Sequence, residues 1–355
     1  MVSMKFKVTW KTILLPVLGL ITFFIYLYLF NVDIPVIIAT VQRINLSIYL
    51  IGVAFIVLDV FFFALSWYFL LDFLSVKLSV IKSFLYVWYG TFMDIVIPAE
   101  SISGEILRIY LVAREQNGSS GKVVASLFTQ RLMGMGINLT SLLIGVSILL
   151  TKTQASGIVL NLTVFLTIAT AIFLSLLILL CFKREWTLKI IDAGIKLVGY
   201  LSRGRWKPTR IREDLIRAAI LFHDSMQTFG HAPKTILTSL VFSVISYLFN
   251  VGVAYLVFLS MGFPVHWDII IVTYSIVFAI QGIPLGVPFE AGLPEITMTT
   301  LFIMLGVPPQ ISATATILTR ILTLWLKFFI GFAVQQWLEI KTITVTNTDS
   351  KTEKA

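Results

Sequence analysis

Two groups of charged residues interrupt otherwise apolar sequence, and their types and spacing suit anion handling. The first is Glu100, Glu105 and Arg108 within IPAESISGEILR at 97–108, followed by Arg131. The second is Glu290 and Glu295 within IPLGVPFEAGLPE at 283–295, followed by Arg320. A charge at the centre of a bilayer costs about 3 kcal/mol or more unless paired, so intramembrane charges pair and commonly mark substrate or ion paths. The arginines would attract a phosphate, and the glutamates would hold or gate them. The competing reading makes 98–118 a solvated loop whose surface ion pairs contribute little. Each Glu–Arg pair would then be a bridge that holds a hairpin. Pro98 and Gly104 in the first group, and Pro284, Gly286, Pro288 and Gly292 in the second, are candidate backbone hinges. A helix broken at membrane depth presents free N–H groups at its start, where the dipole favours an anion. Asp59 and Asp94 read equally as proton carriers or as hydrogen-bonded aspartates.

The elements that must position these residues are membrane helices. Of 355 residues 58% are hydrophobic and 13% charged, against about a quarter charged in soluble domains. Several apolar runs reach the roughly 20 residues that span a bilayer as helix, and the short alternating segments of a β-barrel are missing. Full spans are expected at 11–30, 47–71, 122–150, 157–182, 235–261 and 310–338. Two pairs of shorter apolar pieces, 83–97 with 99–116 and 267–283 with 293–306, read as re-entrant hairpins. Such irregular backbone is tolerated only where protein or water covers it. The fold class is therefore an all-α polytopic membrane protein with about six full transmembrane helices and two re-entrant helical hairpins.

Between the fourth and fifth spans, 183–233 carries ten Lys or Arg against five Asp or Glu. A helix beginning at Pro208 would carry an apolar stripe through Ile211, Leu215, Ala218, Phe222, Met226 and Phe229, which suits a membrane interface. Trp67, Tyr68, Trp88 and Tyr89 read as interface markers. The tail 342–355 reads as a disordered cytoplasmic segment. Basic loops lie on the cytoplasmic side, which places both termini and 183–233 there, in the cell membrane.

The halves resemble each other. Glu105 precedes Arg131 by 26 residues, and Glu295 precedes Arg320 by 25. Repeat one covers about 10–150 and repeat two about 157–338. An odd number of full spans in each inverts the second relative to the first. Inverted repeats with paired broken helices point to a transporter site near the midplane.

The stretch PAESISGEILRIYLVAREQNGSSGKVVASLFTQRL resembles the signature of the lysylphosphatidylglycerol synthase transmembrane region family. Its Pro, Gly-Glu and two arginines correspond to Pro98, Gly104, Glu105, Arg108 and Arg131. A second block corresponds to Pro284, Gly286, Glu290, Gly306, Val307, Pro308 and Arg320. The usual Pro-Gly-Gly-Leu-Gly run is replaced by Pro284, Leu285, Gly286, Val287 and Pro288. The resemblance implies a flippase-like integral membrane domain. The chain ends shortly after its last span, so the soluble synthase domain and lysyl transfer are expected to be absent.

The leading reading is a lipid translocase, moving a phospholipid or polyprenyl-linked lipid through a polar cavity between the hairpins. The alternatives are a membrane-embedded lipid or glycosyl transferase, or a non-catalytic scaffold of a lipid-modifying complex. No cofactor is expected. The three histidines lack metal-ligand spacing, and no phosphate-binding Gly-Lys-Ser/Thr loop occurs. Expected partners are membrane lipids with anionic headgroups, which suit a net charge of +9. A second copy of the chain and a lipid-modifying enzyme are further candidates. No nucleic-acid module is present.

Overall fold

A computed structural model describes residues 42–97, 102–116, 118–151, 157–201, 209–281 and 292–352, with isolated positions 35 and 39. The expected first span at 11–30 lies outside the described residues. So do Pro98, Glu100, Pro284, Gly286, Pro288 and Glu290.

The described elements are helices: α1 (Leu46–Phe73), α2 (Val80–Val96), α3 (Ile102–Glu115), α4 (Ser120–Thr151), α5 (Gly157–Phe182) and α6 (Arg184–Leu201). They continue as α7 (Thr209–Gly230), α8 (Pro233–Ser260), α9 (Trp267–Gln281), α10 (Leu293–Met304) and α11 (Pro309–Arg320). A π-helical segment, Ile321–Leu326, then leads into α12 (Lys327–Thr352). Among the described residues, five helices are long and apolar enough to cross a membrane: α1, α4, α5, α8 and the continuous Pro309–Ile340 stretch. They coincide with five of the six expected spans. The chain is thus an all-helical, multi-pass membrane protein, with shorter apolar helices α9 and α10 between its spans.

The ends of α1 follow from local chemistry. Asn45 caps its start, its side chain accepting from the Ile48 N–H at 3.3 Å, as short polar side chains do at a helix N-terminus. The Asn45 N–H donates to the Ser260 carbonyl at 2.8 Å, tying this end to the end of α8. Helices α1 and α8 pack along one another at the centre of the molecule. Their seam combines stacked phenylalanines, Phe62 and Phe69 of α1 against Phe242 of α8, with a stripe of small polar residues. Ser66 Oγ meets Ser239 Oγ at 2.7 Å and Ser243 Oγ at 2.8 Å. In lipid, where burial of apolar surface gives helices no reason to associate, small residues and interhelical hydrogen bonds hold them together.

Packing partners correspond between the halves. Helix α1 packs on α2 and α4, and α8 on α9 and α11. Helix α3 packs on α2 and α4, as α10 does on α9 and α11. Across the halves, α2 packs on α12 and α9 on α4.

The basic segment differs in detail from its sequence reading. It forms two helices, α6 and α7, packed on each other. The second half of the α7 stripe is turned onto protein: Phe222 and Phe229 are buried, and Phe222 meets Phe128 of α4 edge-on at 5.5 Å. His223 fixes the junction through the Cys181 carbonyl at 3.0 Å and Thr187 Oγ1 at 3.1 Å. The last helix is described to Thr352.

Candidate functional site

The first broken region is built on a close backbone approach. A Cβ on Gly104 would stand 2.5 Å from the Gly90 carbonyl oxygen, and one on Gly90 3.3 Å from that of Gly104. Glycine at 104 is what lets α2 and α3 touch, and at 90 a side chain would fit only tightly. Asp94 of α2 then reaches the start of α3. Its Oδ1 accepts from the Gly104 N–H at 2.6 Å and from Ser103 Oγ at 2.8 Å. A carboxylate there satisfies free N–H groups and complements the helix dipole. Asp94 is therefore a hydrogen-bonded aspartate, one of the two readings open from sequence.

Helix α3 turns Arg108 inward, while Arg114 and Glu115 at its end are exposed. Arg108 is buried at 6% exposure, whereas Ile106 is 60% exposed, with Ile102 and Tyr110 exposed beside it. In water such a helix would be inside out; against lipid it is the favourable arrangement. The Arg108 guanidinium lies over the rings of Phe63, at 5.8 Å, and Trp67, at 5.2 Å, both on α1. Its Nε donates a long bond of 3.4 Å to the Gly104 carbonyl. Its buried Nη1 finds no hydrogen-bond partner among the described residues. Asp94, Glu105 and Arg131 are within electrostatic reach. Arg131 of α4 donates to Glu105 Oε1 at 3.1 Å, the two side chains 34% and 23% exposed.

The second region is closed. Gly292 has φ of +96°, which a side chain would strain,. It turns the chain into α10. Glu295, in the first turn, accepts from the Gly292 N–H at 2.6 Å through Oε2 and from Arg320 Nε at 2.6 Å through Oε1. Here the side chains are 10% exposed for Arg320 and 2% for Glu295. Arg131 thus meets Glu105, a pairing the sequence leaves undecided, and Arg320 meets Glu295, one of the two glutamates the sequence offers it; the first pair is half-open and the second sealed.

A third charged pair joins Asp59 to Lys327. Asp59 of α1 accepts through Oδ1 from Ser246 at 2.7 Å, and through Oδ2 from Asn250 and Lys327, each at 2.8 Å. Sequence reasoning misses Lys327. The signal exists: a lysine deep in an apolar span needs a counter-ion for the same reason Arg131 does. Trp67 needs correction as well. The sequence makes it an interface marker, but it is fully buried and donates from Nε1 to Ser126 Oγ at 3.0 Å. A tryptophan beside a buried cation serves its ring face, not the water boundary.

The family model described as the lysylphosphatidylglycerol synthase TM region matches residues 14–331. The chain belongs to this family. The match spans both charged regions and α1. Two similar relatives are UPF0104 membrane proteins. One, from Methanocaldococcus jannaschii, is 23% identical over 332 residues, covering 93% of this chain and 95% of that protein. The other, from Pyrococcus horikoshii, is 21% identical over 301 residues, covering 82% and 87%. No solved structure matches. In this member of the lysylphosphatidylglycerol synthase TM region family, the first charged region holds a buried guanidinium whose Nη1 has no partner among the described residues. The second has its glutamate saturated.

Proposed function

We propose that the chain translocates a phosphate-bearing lipid, a phospholipid or a polyprenyl-linked lipid, across the cell membrane. The observation that carries this reading is Arg108. It is buried on a helix whose outer face is apolar, is flanked by two aromatic rings, and has an Nη1 donor without a partner among the described residues. Burying an unpaired donor of a charged group is unfavourable by about 2 kcal/mol or more. A phosphate oxygen would satisfy it, since guanidinium pairs with phosphate in a fixed two-pronged geometry. The acyl or isoprenoid tails would remain in lipid beside Ile102, Ile106 and Tyr110.

In this reading α2–α3 and α9–α10 are re-entrant hairpins of an inverted repeat. The corresponding packing partners of the two halves support it, as do the equivalent Glu–Arg pairs. Arg108 is the headgroup ligand, Glu105 and Arg131 form its opening gate, and Glu295–Arg320 is a closed clamp in the partner hairpin. Glu100 and Glu290, outside the described residues, are further candidate contacts for the headgroup. The basic α6–α7 segment faces the cytoplasm with both termini, beside anionic headgroups.

The test is reconstitution. The purified chain is placed in liposomes with fluorescent phospholipids or polyprenyl phosphates, and the loss of outer-leaflet label is followed. Movement by the wild type that is lost in Arg108→Ala and Glu105→Ala, both monodisperse and folded, is the expected result. Folded wild type that moves none of these lipids refutes the reading. A covalent change in the lipid would assign a transferase instead.

A further inference from the structure

Asp59 lies thirteen residues from the start of α1 and fourteen from its end, about 20 Å from each at 1.5 Å per residue. The pair it forms with Lys327 therefore sits at mid-span, and it joins three helices: α1, α8 through Ser246 and Asn250, and α12. Along α1, Phe63 and Trp67 come one and two turns after Asp59, on the same side of the helix. Those two rings hold Arg108. Beyond Asp59 on another side, Tyr274 of α9 is within electrostatic reach of both Asp59 and Arg320. Three cations, each beside a carboxylate, are thus ordered as a file: Arg108, one to two turns of α1 from Asp59, then Lys327, then Arg320, seven residues before Lys327 in the chain.

The π-helical segment makes this file possible. Arg320 and Lys327 are seven residues apart and flank Ile321–Leu326. In unbroken α-helix a separation of seven returns to nearly the same face, and both cations would point one way. A π turn takes up one extra residue and rotates the succeeding helix by about 100°. Arg320 then faces Glu295 while Lys327 faces Asp59.

We propose that Lys327 is a midplane station for the phosphate of the translocated lipid, with Asp59 as the counter-ion that the phosphate displaces. This rests on the translocase reading and adds a residue and a step to it. When the station is empty, the ammonium is neutralised by Asp59, so no bare charge stands at the bilayer centre. When a phosphate arrives from Arg108, Lys327 exchanges one anionic oxygen for another, and Ser246 and Asn250 continue to satisfy Asp59. The exchange is nearly balanced, which passage needs: a station that bound the headgroup strongly would stop it.

A pair that serves only to hold helices together predicts that its two members behave alike when neutralised. A station predicts opposite signs. The experiment measures binding of dihexanoyl phosphatidylglycerol, with inorganic phosphate in a parallel arm, to the full chain in detergent. It measures liposome translocation alongside. Lys327→Gln is expected to weaken binding of the short lipid by about tenfold, the loss of one charged hydrogen bond. Asp59→Asn frees the ammonium and is expected to tighten binding by a similar factor; both slow translocation. If Asp59→Asn does not fold, Asn250→Ala replaces it. That change removes a competitor for Asp59 Oδ2, tightens the Asp59–Lys327 pair, and is expected to weaken binding and slow movement. Binding by inorganic phosphate with the same pattern shows that the phosphate alone is recognised; binding by the lipid only shows that the glycerol backbone or chains are also needed. The station is overturned if Arg108→Ala abolishes binding and movement while the Asp59 and Lys327 substitutions change neither. It is also overturned if both weaken binding in proportion to lost stability. Wild type that neither binds nor moves lipid overturns the translocase reading, and the station with it.

Discussion

The two Glu–Arg pairs provide a comparison in which chemistry is held constant and burial varies. Arg320–Glu295 is 2.6 Å long with side chains 10% and 2% exposed, and the glutamate is saturated by the Gly292 N–H. Removing the arginine leaves a carboxylate in a dry site. Breaking a buried pair in this way is unfavourable by about 3–5 kcal/mol. Arg131–Glu105 is 3.1 Å long, with side chains 34% and 23% exposed. In the gate reading it is this exposed side that water enters, and a solvated pair contributes about 1 kcal/mol or less. The Arg320→Ala and Arg131→Ala variants should therefore differ by at least about 2 kcal/mol, roughly thirtyfold in the unfolding equilibrium. Unfolding of the purified chain in mixed micelles, with Glu295→Gln/Arg320→Gln and Glu105→Gln/Arg131→Gln completing the cycles, measures both couplings. The translocation assay run beside it should rank them the other way, with Arg131→Ala folded but impaired. Equal destabilisation by the two arginine substitutions would refute the division into a sealed clamp and an open gate.

Other consequences are as direct. Gly104→Ala should destabilise the chain more than Gly90→Ala, because its Cβ would stand 2.5 Å from a backbone oxygen rather than 3.3 Å; thermal unfolding of the two variants ranks them. Arg108→Lys should not restore lipid movement, since an ammonium keeps the charge but loses the planar face that lies over Phe63 and Trp67 and the two-pronged donor set,. The reconstitution assay decides it. In a Cys181→Ser background, Ile106→Cys should resist a water-soluble maleimide yet react with a membrane-permeant one, whereas Lys189→Cys should react with both. Labelling of Ile106→Cys by the water-soluble reagent would place α3 in water and remove the basis for the re-entrant reading.

The spans are readable because lipid imposes a length and composition on every helix that crosses it. The observed bounds of α4, α5 and α8 fall within two residues of those read from hydropathy. The Glu–Arg pairings are readable as candidates because a deep charge demands a partner and few are available nearby in sequence. What escapes depends on geometry that spacing does not carry. The partners Asp59 and Lys327 are 268 residues apart, and no local pattern relates them. The π turn that aims Lys327 has no composition signal in ILTLWL, and without it the helical wheel puts Lys327 on the face of Arg320.

Helix α3 shows the same limit from the other direction. Its sequence reads as amphipathic, with Ile102, Ile106 and Ile109 at helical spacing, but periodicity states only that two faces differ. Which one turns inward depends on the surroundings. In water the isoleucines would be buried and Arg108 solvated. Here Arg108 is buried and Ile106 exposed, because lipid offers an apolar side chain nothing to avoid and offers a guanidinium nothing to bond. The glycine contact with α2 and the rings of Phe63 and Trp67 then determine where the guanidinium rests. Its Nη1 donor, without a partner among the described residues, is the feature on which the translocase proposal rests.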